Sequence, residues 1–506
     1  MNTNIKTTVS DKSRHAPPKA GAMIEALRGL GYSTSTALAD VIDNSIAAKA
    51  DQVDIKFSWK GAASTITVLD NGSGMDSKEL DSAMRLGEKN PLDIRLAHDL
   101  GRFGLGLKTA SFSQCRSLTV ASKKNDVIDC LRWDLDILAT TNDWQLLEGS
   151  SNESVGFIEP LKSCEKGTIV LWERLDRIVT PRFTEQDFLD LIDKVEMHLA
   201  MVFHRYLEGK SARLILTING RSIAPWDPFL ANNTSTWSSP VEHIATEGGG
   251  ISVQCFVLPH KDRIGVREHE IAGGTDGWTA QQGFYVYRNE RLLVAGNWLG
   301  LGVGRSWTKE EAYRLARIRM DIPNTADAEW KIDIRKSIAR PPVAIRDKLT
   351  RLAEDTRERA RRVFAHRGQP VRTSVGGELL HAWQAEHFKG GIRYRIDIDH
   401  PAVRNVLEEA GNLGPQIKAM LKIIEATIPV QRIWLDTTES KETPSTGFSG
   451  EPSADVMAVL DIIYRNMVLQ KKLSPALARE QLLRTEPFHN YPNLIAMLPD
   501  KPVTKD

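Results

Sequence analysis

The sequence predicts an α/β protein with three domains, and three observations carry this prediction. Val53, Ile55, Phe57 and Trp59 alternate with polar residues, which is the period of a half-buried strand. Residues 21–50 carry a helical pattern instead, so helix and strand signals lie close together. A length of 506 residues with 41% hydrophobic content suffices for about three packed cores. We therefore expect a first domain with helices on one face of a mixed sheet, a second α/β domain, and a mainly helical C-terminal domain.

Charge and cysteine usage argue against several protein classes. The 66 lysines and arginines nearly balance the 65 aspartates and glutamates, which disfavours a general polyanion-binding or membrane-surface protein. The four cysteines occur without a CxxC pair, so neither a disulfide framework nor a cysteine zinc site is expected. The polar start lacks the apolar core of a signal peptide, and no stretch reaches the ~18 apolar residues of a spanning helix. We expect a soluble, cytoplasmic protein without a membrane partner.

A polar tail at residues 1–19 precedes the first domain, which we place at 20–195. The domain begins with a helix from residue 21, a turn at 31–33 and a second helix over about 36–50. A short helix follows the first strand pair and starts with a capping-box pattern. The later elements are expected as a strand at 66–69, the short helix between Asp76 and Gly87, a loop at 88–106, a helix from about Leu107, and strands at 117–122, 127–133 and 167–172.

The second α/β domain is expected over residues 196–342. Apolar runs predict strands at 213–218, 251–258 and 283–288. A helix is expected near 308–318. This succession of strands with a helix is typical of a further two-layer unit.

A basic connecting helix is expected over residues 343–368, before a linker at 368–378 and the C-terminal domain at 369–506. That domain contains a flexible loop at 437–453, where apolar residues are scarce. Between Arg346 and Arg367 the sequence has eight basic and four acidic residues. This excess of positive charge could allow the helix to lie along DNA phosphates. The alternative is a helix packed by its apolar face with its charges solvated. That face carries Ile345, Leu349, Leu352, Thr356, Ala360 and Val363.

The first motif that carries chemistry is ALADVIDNSIAAKA, at residues 37–50. Asp40 and Asn44 stand four residues apart, so they share one face of the predicted helix. Magnesium prefers hard oxygen ligands and keeps several waters, which makes the side-chain oxygen of Asn44 a candidate Mg²⁺ ligand. Asp40 is then a candidate general base for an attacking water.

The second motif is DNGSGM, at residues 70–75, directly after the strand that ends at Leu69. Asp70 could accept a hydrogen bond from an exocyclic amine such as that of adenine. Gly72 and Gly74 permit a tight turn that lets a base approach the backbone. Taken alone, an Asp-Asn-Gly run is also typical of an ordinary turn.

The third motif is GRFGLGLKTAS, at residues 101–111, a glycine-rich loop that runs into a helix. Backbone amides of such a loop and the positive end of the helix form a phosphate cradle, and Lys108 adds a full charge. A Walker A loop requires GxxxxGK[ST], whereas Leu107 separates Gly106 from Lys108 here. A P-loop is therefore disfavoured.

In this order, the three motifs resemble the GHKL ATP-binding superfamily of gyrase, the large heat-shock chaperone, histidine kinases and MutL. The resemblance covers most of residues 20–175. Within the superfamily, EALRGLGYSTSTALADVIDNSIAAKA and LGRFGLGLKTASFSQCRSLTVASK are most similar to the MORC-like branch and its bacterial relatives. The resemblance implies a Bergerat-type two-layer sandwich that binds ATP with Mg²⁺.

The resemblance also implies roles for matching residues. Asn44 would hold the magnesium ion and Asp70 would recognise adenine. Thr168 matches a threonine whose hydroxyl supports the adenine site, although a β-branched residue is equally expected in an ordinary strand. The base pocket would be lined by Ala48, Gly72, Gly74 and Met75, and the phosphates would be surrounded by Gly101, Arg102, Phe103, Gly104, Leu105, Gly106 and Lys108.

One position departs from the family pattern. The usual general base, four residues before the asparagine, is glutamate, whereas this chain has the shorter Asp40. Catalysis tolerates small displacements poorly, so we expect slow hydrolysis of ATP and water to ADP and phosphate. Asp43 is the alternative carboxylate, but it adjoins Asn44 and therefore points off the shared face.

The second domain resembles the S5-like transducer domain of clamp-forming superfamily members. GFYVYRNERLLVAGNW at residues 283–298 resembles the transducer core, and WKIDIRKSIARPP at 330–342 resembles its lysine-bearing loop. Lys336 is the candidate catalytic lysine, whose contact with the γ-phosphate would distinguish ATP from ADP. The alternative is a solvated surface lysine beside Arg335.

These features favour an ATP-gated dimeric clamp. ATP would order the lid at 88–106 and join two chains as a homodimer, and hydrolysis would reopen them. The resemblance to MORC-like and MutL-like proteins implies duplex DNA as partner, with restriction or phage (antiviral) defence and a nuclease or helicase partner protein. The alternative is a chaperone-like ATPase that acts on protein clients. A histidine kinase is disfavoured because only His15 precedes the first motif, and a topoisomerase because no acidic cleavage domain is evident.

Overall fold

The computed structural model divides the chain into two compact units, residues 1–361 and 362–506. The predicted phosphate-loop residues Gly101, Arg102, Phe103, Gly104 and Leu105 lie outside the residues that the structure describes, and so does Lys336. The predicted linker at 368–378 and loop at 437–453 also lie outside them. The described residues are 18–88, 106–209, 212–274, 276–327, 329–333, 339–365, 380–388, 391–433 and 454–500.

A mixed eight-stranded sheet forms the first layer of the larger unit. Its strand order is β5-β4-β3-β6-β2-β1-β7-β8, and only the β1–β7 pair is parallel. Strands β7 and β8 of this sheet come from residues after 195, the expected end of the first domain. The strands are β1 Gln52–Ser58, β2 Thr65–Asp70, β3 Ser117–Lys124, β4 Val127–Asp134, β5 Leu147–Glu148, β6 Gly167–Glu173, β7 Ile215–Ile218 and β8 Arg221–Ser222.

Helices cover this sheet and confirm the α/β prediction. The main core joins α1, α2, α4 and α7 to one face of the sheet, as the sequence predicts. A smaller core packs α6 on the opposite face, against Ala121, Ile169 and Leu171. The helices are α1 Ala20–Arg28, α2 Thr34–Ala47, α3 Ser77–Met84, α4 Gly106–Phe112, α5 Leu135–Thr141, α6 Val155–Ser163, α7 Glu185–Val202 and α8 His204–Leu207.

Local sequence signals explain the elements that position the site. In β1, Val53, Ile55 and Phe57 are buried and alternate with more exposed residues, which confirms the predicted strand. Asp76 caps α3 and exchanges hydrogen bonds with Glu79, which confirms the predicted capping box. A second capping box, between Ser33 and Thr36, starts α2. The start of α2 is therefore well defined.

A six-stranded sheet forms the second part of this unit. Its strand order is β10-β11-β14-β12-β13, with β9 paired to β11. The elements are β9 Trp237–Ser238, β10 Glu242–Thr246, β11 Gly249–Val257, α9 Val266–Ala272, α10 Gly277–Ala280, β12 Gly283–Arg288, β13 Arg291–Asn297 and β14 Ala316–Ile322.

The helix predicted near residues 308–318 is wrong. That stretch holds only a short 3₁₀ turn at Glu311–Tyr313 before β14 begins. Ala316, Ile318 and Met320 are buried and β14 lies between β11 and β12. The sequence ARIRMDI of β14 alternates apolar and charged residues, which is the period of a strand, and the predicted helix overlaps the start of this pattern.

The connecting helix α11, Val343–Phe364, packs through its predicted apolar face. Ile345, Leu349, Thr356 and Ala360 are buried along it. Several of its cations have partners within the larger unit. Lys348 pairs with Glu242, Arg359 lies over Trp237, and Arg357 lies over the rings of Trp298, Trp307 and Tyr313. These contacts favour the alternative of a packed helix, because several of the cations of α11 are used within the larger unit.

The smaller unit is mainly helical, as predicted, and contains one two-stranded hairpin. Leu460, Tyr464, Ala478 and Leu482 form the centre of its core. Among the described residues, no helix of the chain is long and apolar enough to cross a membrane. The elements of this unit are β15 Trp383–Phe388, β16 Gly391–Ile396, α12 Pro401–Glu409, α13 Gly414–Ala426, α14 Ala454–Arg465, α15 Pro475–Leu483 and α16 Pro492–Ala496.

Candidate active site

Asp70 ends β2 and organises one end of the candidate site, here called the Asp70 end. Its Oδ1 accepts a hydrogen bond from the Gly72 amide at 2.9 Å, and its Oδ2 accepts one from the Ser45 hydroxyl at 2.8 Å. Burial raises the pKa of the Asp70 carboxyl above its ordinary value, and the hydrogen bonds that it accepts oppose this rise. A carboxylate has about four acceptor positions, so these two bonds leave capacity for a ligand amine.

Ser122 connects three segments around Asp70, and sequence reasoning missed it. The antiparallel register of β3, β6 and β2 places Thr168 opposite both Ser122 and Asp70. The Ser122 hydroxyl lies 2.8 Å from the Thr168 hydroxyl and accepts a hydrogen bond from the Met75 amide at 2.8 Å. Thr168 and Met75, both predicted from the sequence, therefore meet through a residue that no motif indicated.

The glycines of the 70–75 turn allow close approach to neighbouring backbone. Gly74 has a φ of +66°, and a Cβ there would lie 2.0 Å from the Lys123 carbonyl oxygen. A Cβ at Gly72 would lie 2.8 Å from the Cβ of Ala48. The Ser73 amide also donates to the Ala48 carbonyl at 2.9 Å. The turn is thus fixed between the end of α2 and strand β3.

Asp40 lies in the middle of α2 and marks the other end of the candidate site, here called the Asp40 end. It is buried, and its Oδ2 accepts a hydrogen bond from the Tyr32 hydroxyl at 3.0 Å. A Cβ built at Gly106 would lie 3.9 Å from the same oxygen. The carboxylate therefore faces the first residue of α4, next to the predicted phosphate loop. Nothing in the sequence motifs pointed to Tyr32 as its partner.

Tyr32 remains a neutral hydrogen-bond donor to Asp40. Burial raises the pKa of the Tyr32 hydroxyl far above its usual range, and the nearby Asp40 carboxylate raises it further. Asp333 acts in the same direction, while a hydrogen bond with Thr109 opposes the rise. Asp333 therefore lies within electrostatic range of Tyr32.

Asn44 is exposed on α2, one helical turn after Asp40. Its amide nitrogen donates to the Asp40 backbone carbonyl at 2.9 Å. This bond fixes the orientation of the amide group, and its oxygen remains the atom available to a cation. An exposed oxygen in a fixed orientation suits a magnesium ion, which would keep most of its waters.

Lys108 is buried in α4, and its ammonium group donates to the Ala83 carbonyl at 2.7 Å. This bond ties α4 to the end of α3, where carbonyl groups carry partial negative charge. The predicted contact of Lys108 with phosphate stays a prediction. The same holds for the predicted contacts of Gly101–Leu105 and Lys336, which lie outside the described residues.

Arg291 reaches the Asp40 end from the second sheet, and no sequence motif predicted this contact. Its Nε lies 3.2 Å from both carboxylate oxygens of Asp43, and its Nη2 lies 3.5 Å from Oδ1 of Asp40. Asp43, the alternative base in the sequence, therefore faces a guanidinium group. Arg291 also contributes to a lowered pKa of about 4 for His198 on α7, for which burial is the larger cause.

Helix α2 connects the two ends of the site. Asp40 and Asn44 belong to α2, and so does Ser45, which donates to Asp70. The Asp70 end offers a buried acceptor for an amine, and the Asp40 end offers a carboxylate beside the start of α4 together with an exposed amide oxygen. The Asp70 end suits the amine of adenine and the Asn44 oxygen suits a magnesium ion, while most of the predicted phosphate loop lies outside the described residues. These residues fit Mg²⁺-ATP.

Comparison with known families identifies the domain that contains this site. Residues 32–168 match the family model described as histidine kinase-, DNA gyrase B-, and HSP90-like ATPase. The match begins at Tyr32 and ends at Thr168, so it encloses both ends of the site. A search of curated proteins returned no match. The chain thus contains a GHKL-type ATPase domain, a class of domain that binds ATP.

Proposed function

From the GHKL-type ATPase domain at residues 32–168 we propose that this protein hydrolyses ATP slowly with Mg²⁺ as cofactor. The observation that carries the proposal is the placement of Asp40. Its buried carboxylate faces Gly106, while Asp70 is bonded to Ser45, which lies about one and a half turns after Asp40 on the same helix. The proposed base therefore lies on α2, and the proposed nucleotide-recognition carboxylate of β2 is hydrogen-bonded to the same helix.

In this proposal Asp70 accepts a hydrogen bond from the adenine amine, and Thr168 and Ser122 hold the turn that lines the base. Asn44 would hold the magnesium ion, which would neutralise phosphate charge when bound. Asp40 accepts a proton from the attacking water as the water oxygen bonds to the γ-phosphorus and the bond from that phosphorus to the bridging oxygen of ADP breaks. The products are ADP and inorganic phosphate. Gly101–Gly106 with Lys108, and Lys336, are proposed phosphate contacts on the strength of the resemblance.

Slow turnover is proposed because Asp40 replaces the usual glutamate. The side chain of Asp40 is one methylene shorter than that of glutamate, so its carboxylate lies closer to the helix backbone than the usual base does. Displacement of a base by about 1 Å can reduce the rate by about 100-fold. A slowly hydrolysing site suits a conformational switch better than a high-flux enzyme.

The proposed activity is tested by measuring phosphate release from ATP in the presence and absence of Mg²⁺. Wild-type protein should turn over ATP only with the metal, and excess chelator should abolish the reaction. Asp40→Asn keeps the shape of the side chain and should bind nucleotide normally without turnover. Equal turnover by wild type and Asp40→Asn would remove Asp40 as the base.

We propose further that ATP drives dimerisation into a clamp. Domains of this superfamily commonly dimerise, and the S5-like resemblance of residues 283–298 adds the second domain that clamps use. Sedimentation in the presence of ADP or a nonhydrolysable ATP analogue tests this directly. The analogue alone should shift the protein from monomer to dimer, and identical sedimentation in both states would contradict the clamp.

Duplex DNA is the proposed partner, on the strength of the MORC-like resemblance, and restriction or phage defence with a nuclease or helicase is the proposed setting. The charge of α11 adds little support, since several of its cations pair within the unit. Binding to long duplex DNA, measured across salt concentrations with and without the analogue, tests the partner. No binding in either state would favour the alternative, a chaperone-like ATPase acting on protein clients.

A further inference from the structure

The hairpin β12–β13 brings Arg291 from the second sheet to helix α2. Asn289 and Glu290 form its two-residue turn, and both have positive φ, 48° and 67°. Arg288 and Arg291 pair across the turn, so Arg291 is the first residue of the returning strand. A strand register, rather than a mobile loop, therefore sets the position of its backbone.

The tip of this hairpin is held by residues after α7. The Tyr206 hydroxyl donates to the Asn289 carbonyl at 2.6 Å. Glu290 forms ion pairs with Arg205, at 3.8 Å, and with Arg213. These contacts come from both residues of the turn. The hairpin thus docks on the first sheet's layer of helices at the point where Arg291 begins.

The Arg291 side chain occupies a buried position between two carboxylates of α2. Arg291 and Asp40 are each 4% exposed, and Asp43 is 3% exposed, so water cannot replace any partner in place. Removing one member of such a group leaves an uncompensated buried charge, which is strongly unfavourable. Nη1 also donates to the Leu292 carbonyl at 2.8 Å, which further restricts the guanidinium. The position of Asp40 is therefore tied to that of β13.

Asp40 is in this way held from two sides. Tyr32 binds Oδ2 from the start of α2, and the Arg291 guanidinium faces Oδ1 from the second sheet. The Arg291 Nε faces both oxygens of Asp43, which makes Asp43 an anchor for the guanidinium and not a free base. A change in the docking of the hairpin would alter the geometry at Asp40 and leave Asp70 unaffected.

We propose that Arg291 is a positioning residue, anchored by Asp43, that makes ATP hydrolysis by Asp40 depend on the docking of the second sheet. The inference rests on the proposed role of Asp40 as base. It goes beyond that role because it assigns control of the hydrolytic step to a residue outside the ATPase domain match. The second domain would then regulate turnover through a buried ion pair, in addition to the proposed contact of Lys336 with phosphate.

The test compares kcat, KM for ATP and Kd for a nonhydrolysable ATP analogue among full-length variants. Arg291→Met removes the charge with similar length, and we expect kcat to fall by about 10- to 100-fold with KM and Kd changed by less than about threefold. Arg291→Lys keeps the charge and should recover part of kcat. Arg319→Met is the matched control, because Arg319 bonds to Gln254 and lies over Phe256 within the second sheet.

A second arm tests the anchor. Asp43→Asn should lower kcat in the same direction as Arg291→Met, and the double variant should lose little more than Arg291→Met alone, because both changes break one contact. Additive losses would show two independent effects and overturn the inference. Should Arg291→Met fail to fold, Arg291→Lys and Asp43→Asn carry the same comparison.

The remaining outcomes separate this inference from the proposed function. Turnover that survives Asp40→Asn defeats the proposed base itself. When Asp40→Asn is inactive but Arg291→Met keeps wild-type kcat, the inference alone is wrong. Parallel loss of kcat, of Kd and of thermal stability in Arg291→Met would indicate a structural role only and would also overturn it.

Discussion

The Asp70 end and the Asp40 end of the site differ in where their partners come from. Asp70 bonds to Ser45 and Gly72, and its neighbour Thr168 bonds to Ser122, so every partner belongs to the first sheet or its helices. Asp40 instead faces Arg291, which lies in the second sheet. The proposed nucleotide-recognition group is therefore held within the first sheet and its helices, whereas the proposed base also contacts the second sheet.

This difference has a physical consequence for control. A network formed within one sheet keeps its geometry when neighbouring layers move, because register fixes its members. A buried ion pair between layers is lost when the layers separate. We therefore expect variants at the Asp70 end to change ATP affinity and variants at the Asp40 end to change turnover. The predictions below run from the largest expected effect to the smallest.

Asp40→Asn should separate the two ends most clearly. The amide cannot accept the proton of water, so kcat should fall by about 100- to 10,000-fold. The affinity for a nonhydrolysable analogue should stay near the wild-type value, since Asp70 is untouched. Phosphate release and equilibrium binding on the same preparation check both parts. A comparable loss of affinity would break the division between the ends.

Gly74→Ala should damage the Asp70 end through its backbone. Its φ of +66° disfavours a side chain, and the added Cβ would lie 2.0 Å from the Lys123 carbonyl. The free energy of unfolding should fall by about 2–3 kcal/mol, with loss of nucleotide affinity. Urea unfolding measures the change. The matched control is Gly61→Ala, because Gly61 also has positive φ, +56°, but no atom lies within 4 Å.

Thr168→Val keeps the shape of the side chain and removes the hydroxyl that contacts Ser122. One hydrogen bond of this kind contributes about 1 kcal/mol, so Kd for ATP should rise about 5- to 10-fold. The value of kcat at saturating ATP should not change. Calorimetric binding together with steady-state kinetics tests the pair of expectations. A fall in kcat with unchanged Kd would contradict the assignment of Thr168 to the Asp70 end.

The pH dependence of binding should give the smallest effect. Burial raises the pKa of Asp70, so the carboxyl gains its proton at a higher pH than an ordinary aspartate does. The protonated group loses acceptor capacity, and affinity should therefore weaken as pH falls toward this raised pKa. In Ser45→Ala the weakening should begin at a still higher pH, because the Ser45 hydrogen bond lowers the pKa of Asp70. Identical profiles would contradict this.

Local patterns predicted the residues whose geometry is set within a few positions of the chain. The four-residue spacing of Asp40 and Asn44 places them on one helix, and Asp76 forms the capping box that its spacing with Glu79 indicates. Asp70 ends its strand, as the apolar run before it predicts. Each of these follows from helix or strand periodicity alone.

The missed partners depend on long-range register. Ser122 meets Thr168 because β3 and β6 pair antiparallel, a relation that neither segment encodes by itself. Arg291 meets Asp43 across 248 residues, through the docking of a hairpin from another sheet. Arg291 follows a recognisable turn at Asn289–Glu290. This turn indicates a hairpin but does not indicate what the hairpin packs against. The error at β14 is of another kind, because the alternation of apolar and charged residues in Ala316–Ile322 is local and does indicate a strand.

Calorimetric titration with Mg²⁺ and a nonhydrolysable ATP analogue tests the central claim most directly. The claim is that residues of the first sheet and helix α2 form an ATP site in which Asp70 recognises the nucleotide. Wild type and Asp40→Asn should bind the analogue saturably with similar Kd, and Asp70→Asn should bind it far more weakly. Absence of binding by the wild type, or wild-type affinity in Asp70→Asn, would contradict the claim.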